Sequence, residues 1–125
     1  MSTTNLTLAD FERTITDTPI VLVDFWASWC GPCRAFAPVY ERSAAANPDV
    51  VHAKVDTQAE QELAAILGIQ SIPTIMAFRE GVLVYSQAGA MPPAALEDLI
   101  AKVKGLDMAQ VRATIAERQA AAANG

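Results

Sequence analysis

Seven consecutive residues, Ile20-Val21-Leu22-Val23-Asp24-Phe25-Trp26, hold six large apolar side chains and one carboxylate. A strand with one wet face alternates apolar with polar residues, and this run does not. It suits a strand covered on both faces, in the interior of a parallel or mixed sheet. The rest of the chain must then supply helices for two faces. At 125 residues there is chain enough for one domain. A domain of that length buries about two-thirds of its surface without staples.

The flanking segments fit that demand. Thr7 opens a helix with Leu8, Phe11 and Ile15 on one stripe, and Thr7-x-x-Asp10 has the form of a capping box. A second helix is expected from Cys33 through Phe36 and Tyr40 to Ala46, with Pro38 kinking it. Residues 50–55 read as a second buried strand, 60–67 as a short helix, and 74–78 with 82–86 as a hairpin through Arg79-Glu80-Gly81. Pro92-Pro93 begins a helix that buries Leu96, Leu99, Ile100 and Val103 and closes at Gly105. The order α, β, α, β, α, β, β, α predicts an α/β fold, a mixed sheet with helices on both faces. Residues 1–105 form that domain. Residues 106–125 are an extension, read as a short surface helix capped by Asp107 that frays into a tail.

Composition narrows the function. With 52% hydrophobic residues and 18% charged ones the chain is not a disordered segment. The net charge of −5 and the lack of a Lys/Arg cluster exclude nucleic acid as a partner. Met1-Ser2-Thr3-Thr4-Asn5 lacks the basic start and apolar run of a signal peptide, and no apolar stretch approaches the roughly 20 residues that span a bilayer. The expectation is a monomeric cytoplasmic protein without a membrane contact. In such a compartment its two cysteines need an explanation.

They stand as Trp29-Cys30-Gly31-Pro32-Cys33, where the apolar strand passes into a helix. Free N–H groups and the positive dipole end at a helix start favour an anion, and a thiolate is the nucleophile in disulfide exchange. Cys33 is three residues on, so the two sulfurs meet across the first turn. Three plainer readings compete. The cysteines could be ordinary buried residues, although a strand-to-helix junction is expected to be exposed. They could form a static disulfide, which is uncommon in a reducing compartment. They could be half a zinc site, but no further cysteine exists and the only histidine, His52, lies on another strand, where it reads as a surface residue. A Cys-x-x-Cys beside a βαβ pattern instead fits a redox motif. Asp24, alone among apolar neighbours, should have a raised pKa and could serve as a general base.

Four dispersed segments carry a resemblance: Val23-Asp24-Phe25-Trp26-Ala27-Ser28-Trp29-Cys30-Gly31-Pro32-Cys33-Arg34, Gly68-Ile69-Gln70-Ser71-Ile72-Pro73-Thr74, Phe78-Arg79-Glu80-Gly81 and Gly89-Ala90. In order and spacing they resemble the thioredoxin family, from about Leu6 to Lys104. The resemblance implies a thioredoxin fold, a three-layer sandwich with a central mixed sheet. It implies a dithiol–disulfide oxidoreductase in which Cys30 is the nucleophile, Cys33 the resolving thiol and Asp24 the base toward Cys33, with a Cys30–Cys33 disulfide in the oxidised form. Lys54 falls where the family's aspartate has a lysine partner, and with Gly31 and Pro32 it would tune the pair. Pro73 would be cis, and Trp29, Ile72, Pro73, Gly89 and Ala90 would form the docking surface. Protein disulfides would be the substrates and an NADPH-dependent thioredoxin reductase the electron donor. No cofactor is expected in this chain, which has no glycine-rich phosphate loop, and no metal. An oxidase or isomerase of the same fold, or a binding module without turnover, are the alternatives.

Overall fold

The structure is a computed structural model that describes residues 3–124. In chain order its elements are β1 (Thr3–Asn5), α1 (Leu8–Asp17), β2 (Ile20–Trp26), α2 (Gly31–Ala46), β3 (Val51–Asp56), α3 (Gln61–Ile66), β4 (Thr74–Arg79), β5 (Val82–Ala88), α4 (Pro93–Lys104) and α5 (Met108–Asn124). The apolar run is β2, third of five strands in the order β1-β3-β2-β4-β5. β2 lies parallel to β3, from Val21 opposite Val51 to Trp26 opposite Asp56, and antiparallel to β4, from Ile20 opposite Arg79 to Phe25 opposite Thr74. The sheet is therefore mixed, with its parallel part on the β1 side and its hairpin on the other.

Alternation along β2 sends Val21, Val23 and Phe25 to one face, where they pack with Phe11 and Ile15 of α1 and Leu63 of α3. Leu22 goes to the other, against Phe36 and Tyr40 of α2 and Leu96 and Ile100 of α4. Asp24 and Trp26 share the parity of Leu22, so both belong to the α2 side. On β3, Ala53 and Val55 join the α1 face, which leaves His52 and Lys54 on the α2 side with them.

Local chemistry sets the helix ends. The Asp10 carboxylate accepts from the Thr7 N–H at 2.7 Å and from its hydroxyl at 3.1 Å, which fixes the start of α1. α2 runs unbroken through Pro38. At the end of α4 the orphaned carbonyls find a distant donor: the Arg79 guanidinium donates to the oxygens of Val103, Lys104 and Leu106 at 2.9, 3.0 and 2.8 Å.

Three features depart from the sequence reading. β1 was not expected, since Thr3-Thr4-Asn5 has no apolar pattern; its pairing with His52, Ala53 and Lys54 of β3 makes it a strand. The extension is one helix through Asn124, capped as expected by Asp107, whose carboxylate accepts from the Gln110 N–H at 3.1 Å. Its alanine-rich end supplies the helix propensity that the thin apolar stripe lacks. His52 is not a surface residue. It is 1% exposed, closed in by Tyr40 and Ser43 of α2.

Candidate active site

Backbone geometry brings the two cysteines together. Cys30 is the N-cap of α2, extended at φ −87° and ψ 112°, and its sulfur accepts the Cys33 N–H at 3.2 Å. Pro32 occupies the first turn, where its missing N–H leaves no helical bond unmade. Cys30 and Cys33 are joined as a disulfide with their Cα atoms 5.2 Å apart. Adding a Cβ at Gly31 would meet nothing within 4 Å, so space over the motif is open.

Both cysteines are buried, at 4% and 3% exposure, which corrects the expectation of an exposed junction. The loop before β4 accounts for part of this: the Ile72 carbonyl oxygen lies 3.7 Å from the Cys30 sulfur. The Ile72–Pro73 peptide is cis. Pro73 is itself buried and, as a proline, has no N–H to offer, while its carbonyl accepts the Gly89 N–H at 2.8 Å. The backbone facing the disulfide is that of Ile72. Around it Trp29 is 65% exposed, Gly31, Pro32, Gly89 and Ala90 are also exposed, and Ile72 is half-buried. Gly89 turns at φ +107°, a conformation that favours glycine. Arg34 is tied to the rim by donating to the Ser28 carbonyl at 2.9 Å.

Asp24 is 1% exposed, and neither carboxylate oxygen has a hydrogen-bond partner. Burial pushes its pKa from 3.8 up to about 7, and the Lys54 charge holds it back. Lys54 stands opposite Asp24 in the β2–β3 register, yet no ion pair joins them among the described residues. Its ammonium sits over the Trp26 ring instead, 5.0 Å from the centroid. Trp26 is half-buried rather than core, and its buried Nε1 has no partner. The sequence reading passed over Trp26 as a site residue. Its place two residues after Asp24, hence on the same face, was the available signal.

His52 stands apart from this cluster as a bonded core residue. Its Nδ1 lies 3.0 Å from the Val50 carbonyl, an acceptor only, so Nδ1 carries the hydrogen and Nε2 accepts from the Ser43 hydroxyl at 2.9 Å. Among the described residues no group of three His, Cys, Asp or Glu is arranged to hold a metal. No helix among them is long and apolar enough to cross a membrane.

The family model described as Thioredoxin matches residues 2–102. The chain belongs to the thioredoxin family. A Streptomyces coelicolor protein named "Putative thioredoxin 2" is 56% identical over 121 residues, 97% of this chain and 90% of that one. The thioredoxin of Alicyclobacillus acidocaldarius is 44% identical over 103 residues, and 98% of it is matched by 82% of this chain. Among solved structures, a mutant thioredoxin from Halobacterium salinarum is similar with a TM-score of 0.78 and 33% identity, over 85% of this chain and 94% of that one. The thioredoxin fold and a cysteine pair at disulfide distance make the protein a thiol–disulfide oxidoreductase. The family reading thus stands on the sheet topology, the relatives and the disulfide together.

Proposed function

We propose that this thioredoxin reduces disulfides in other proteins with Cys30 as the attacking thiolate and Cys33 as the resolving thiol. One observation carries the assignment of roles: the Cys30 sulfur caps α2 and accepts the Cys33 N–H at 3.2 Å. A hydrogen bond and a helix dipole directed at one sulfur stabilise its thiolate. Cys33, three residues on in the first turn of α2, supplies that N–H and is buried beside it.

The Cys30 thiolate attacks a substrate sulfur, forms a mixed disulfide and expels the first substrate thiolate. Cys33 then gives its proton to Asp24, and its thiolate attacks the Cys30 sulfur. The bond to the substrate breaks, the second substrate thiolate leaves, and two electrons have passed to the substrate. A carboxyl titrating near neutrality is matched to that proton transfer. Trp29, Ile72, Gly89 and Ala90 receive the substrate as an extended segment beside the cis Pro73, with Gly31 and Pro32 leaving the approach open. An NADPH-dependent thioredoxin reductase returns the pair to the dithiol, and the protein works as a cytoplasmic monomer. Residues 1–105 carry the reaction and 106–125 are an addition to it.

Trapping tests the roles. Cys33→Ser is expected to accumulate mixed disulfides with a model protein substrate, and Cys30→Ser to trap none and to lose essentially all NADPH-coupled reductase activity. Trapping through Cys33 in the Cys30→Ser protein would reverse the assignment.

A further inference from the structure

Asp24, Trp26 and Lys54 occupy one corner of the α2 face, and their pairing is not the one that simple charge attraction gives. Asp24 is buried with both oxygens unpartnered. Lys54, directly opposite in the register, is half-buried and carries the nearest positive charge on that face. Its flexible stem allows the ammonium several positions, and it rests on the Trp26 ring. An aromatic face attracts an ammonium most when both are withdrawn from water. The ring is thus a seat for the cation that does not depend on the state of Asp24.

We propose that Trp26 is a positioning residue for the resolving step, its indole face being one of two seats for the Lys54 ammonium and the Asp24 carboxylate the other. The inference rests on the reading of Asp24 as the base for Cys33. When Asp24 is ionised, the ammonium lies against it and makes a buried charge tolerable. When Asp24 takes the Cys33 proton, that attraction ends and the ammonium withdraws to the ring. The thiolate forms while the cation is still close by. The proton moves from the Cys33 sulfur to an Asp24 oxygen, and no other bond changes. The other titratable groups on that face are Tyr40 and Cys33 of α2 and His52 and Asp56 of β3. His52 is bonded to Ser43 and Val50, and Asp56 stands opposite Trp26 with its carboxylate accepting the Gln58 N–H at 2.9 Å. The Tyr40 hydroxyl is engaged in donating to the Ala53 carbonyl at 2.8 Å, and β4 brings only Ile75 opposite Asp24.

Nuclear magnetic resonance of the full chain reads the two seats directly. The Lys54 Hε protons are expected upfield, in the ring current of Trp26, at pH 5. They should move downfield with the same midpoint as the Asp24 carboxyl carbon. Asp24→Asn should hold them upfield at every pH. Trp26→Leu should abolish the upfield position and lower the Asp24 midpoint by about half a pH unit, since the competing seat is gone. Trp26→Phe, which keeps a ring, should restore part of both effects and serves if the leucine variant does not fold. Lys54 protons that ignore the Asp24 titration, or an unmoved Asp24 midpoint in a folded Trp26→Leu protein, would overturn the proposal. The resolution rate of Asp24→Asn tests the base separately. A wild-type rate there would remove the base assignment, while a Lys54 shift that follows Asp24 would still uphold the two seats.

Discussion

Along β2, side chains alternate between two layers that share a backbone, one almost wholly apolar and one with ionisable groups set into an apolar core. Val21, Val23 and Phe25 enter a layer of apolar residues from α1, α3, β3 and β4, with Thr74 at its rim donating its hydroxyl to the Ser71 carbonyl. Leu22, Asp24 and Trp26 enter the other, which holds the buried carboxylate, the His52–Ser43 pair and the cation on the ring. The first layer's stabilisation is hydrophobic and insensitive to pH. The second carries groups whose burial is unfavourable unless they are bonded, and it is the side to which α2 presents Cys33. Both faces bury apolar residues against the sheet, and the α2 face in addition bears the cost of buried ionisable groups.

The sharpest way to break this contrast is to damage the apolar face alone. Phe25→Ala should cost about 3–5 kcal/mol in urea unfolding, by lost transfer energy and an unfilled cavity. The folded fraction should keep its reductase rate, because no ionisable group has moved. A rate that fell with stability would mean that the two faces are not separable.

Asp24→Asn should act in the opposite direction. The folded pKa of about 7 lies above the ordinary 3.8, so the folded chain holds a proton that the unfolded chain releases. Below 3.8 both states are protonated and burial of the group adds no penalty. The penalty grows as pH rises from 3.8 and is complete above 7. The asparagine variant never ionises there, so it should be more stable by up to about 4 kcal/mol at pH 8, with the gain gone by pH 3.5. Resolution should slow at the same time. A variant that gains nothing at pH 8 would show that the carboxylate is solvated in the folded protein.

Within the α2 face, Ser43→Ala separates a bonded polar group from an unbonded one. It leaves His52 Nε2 without its donor and should cost about 1–3 kcal/mol at pH 7.5, with the reductase rate unchanged. Burial holds the His52 pKa below 6.5, so its contribution is intact above pH 6.5 and falls as pH drops through the folded value. His52→Gln should therefore unfold with a flatter acid limb. An unchanged limb would place the acid sensitivity elsewhere.

How far the sequence anticipated this arrangement depends on the range of the signal. The run Ile20–Trp26, the Thr7-Asp10 cap, the hairpin at Glu80-Gly81 and the helix closing at Gly105 are local patterns, and each element is found there. Cys30 and Cys33 were legible as a pair because only Gly31 and Pro32 separate them. The burial of His52 was not, since it depends on Ser43 and Tyr40 from α2, and a lone histidine in a strand carries no sign of its partners. The same holds for β1, three polar residues made a strand by β3. The Lys54 seat on Trp26 needed the register between β2 and β3, which no local pattern encodes.

Arg112 lies outside both layers and supplies the smallest effect. Its guanidinium pairs with Glu80 at the hairpin turn, with both side chains substantially exposed at 53% and 38%. Glu80 and Gly81 hold left-handed conformations, φ 53° and 81°, so the turn has its own geometry. The Glu80 N–H donates to the Pro19 carbonyl at 2.8 Å, and Arg79 independently secures the corner between α4 and α5. Removing Arg112 takes away a screened surface pair and nothing that depends on it. Arg112→Ala should lower the stability by about 0.5 kcal/mol, and the difference should shrink in high salt. The Asp24 titration should not move at all. A loss above about 2 kcal/mol in urea unfolding would mean that α5 holds the α2–α4 layer in place, and the contrast between the faces would then extend to a third element.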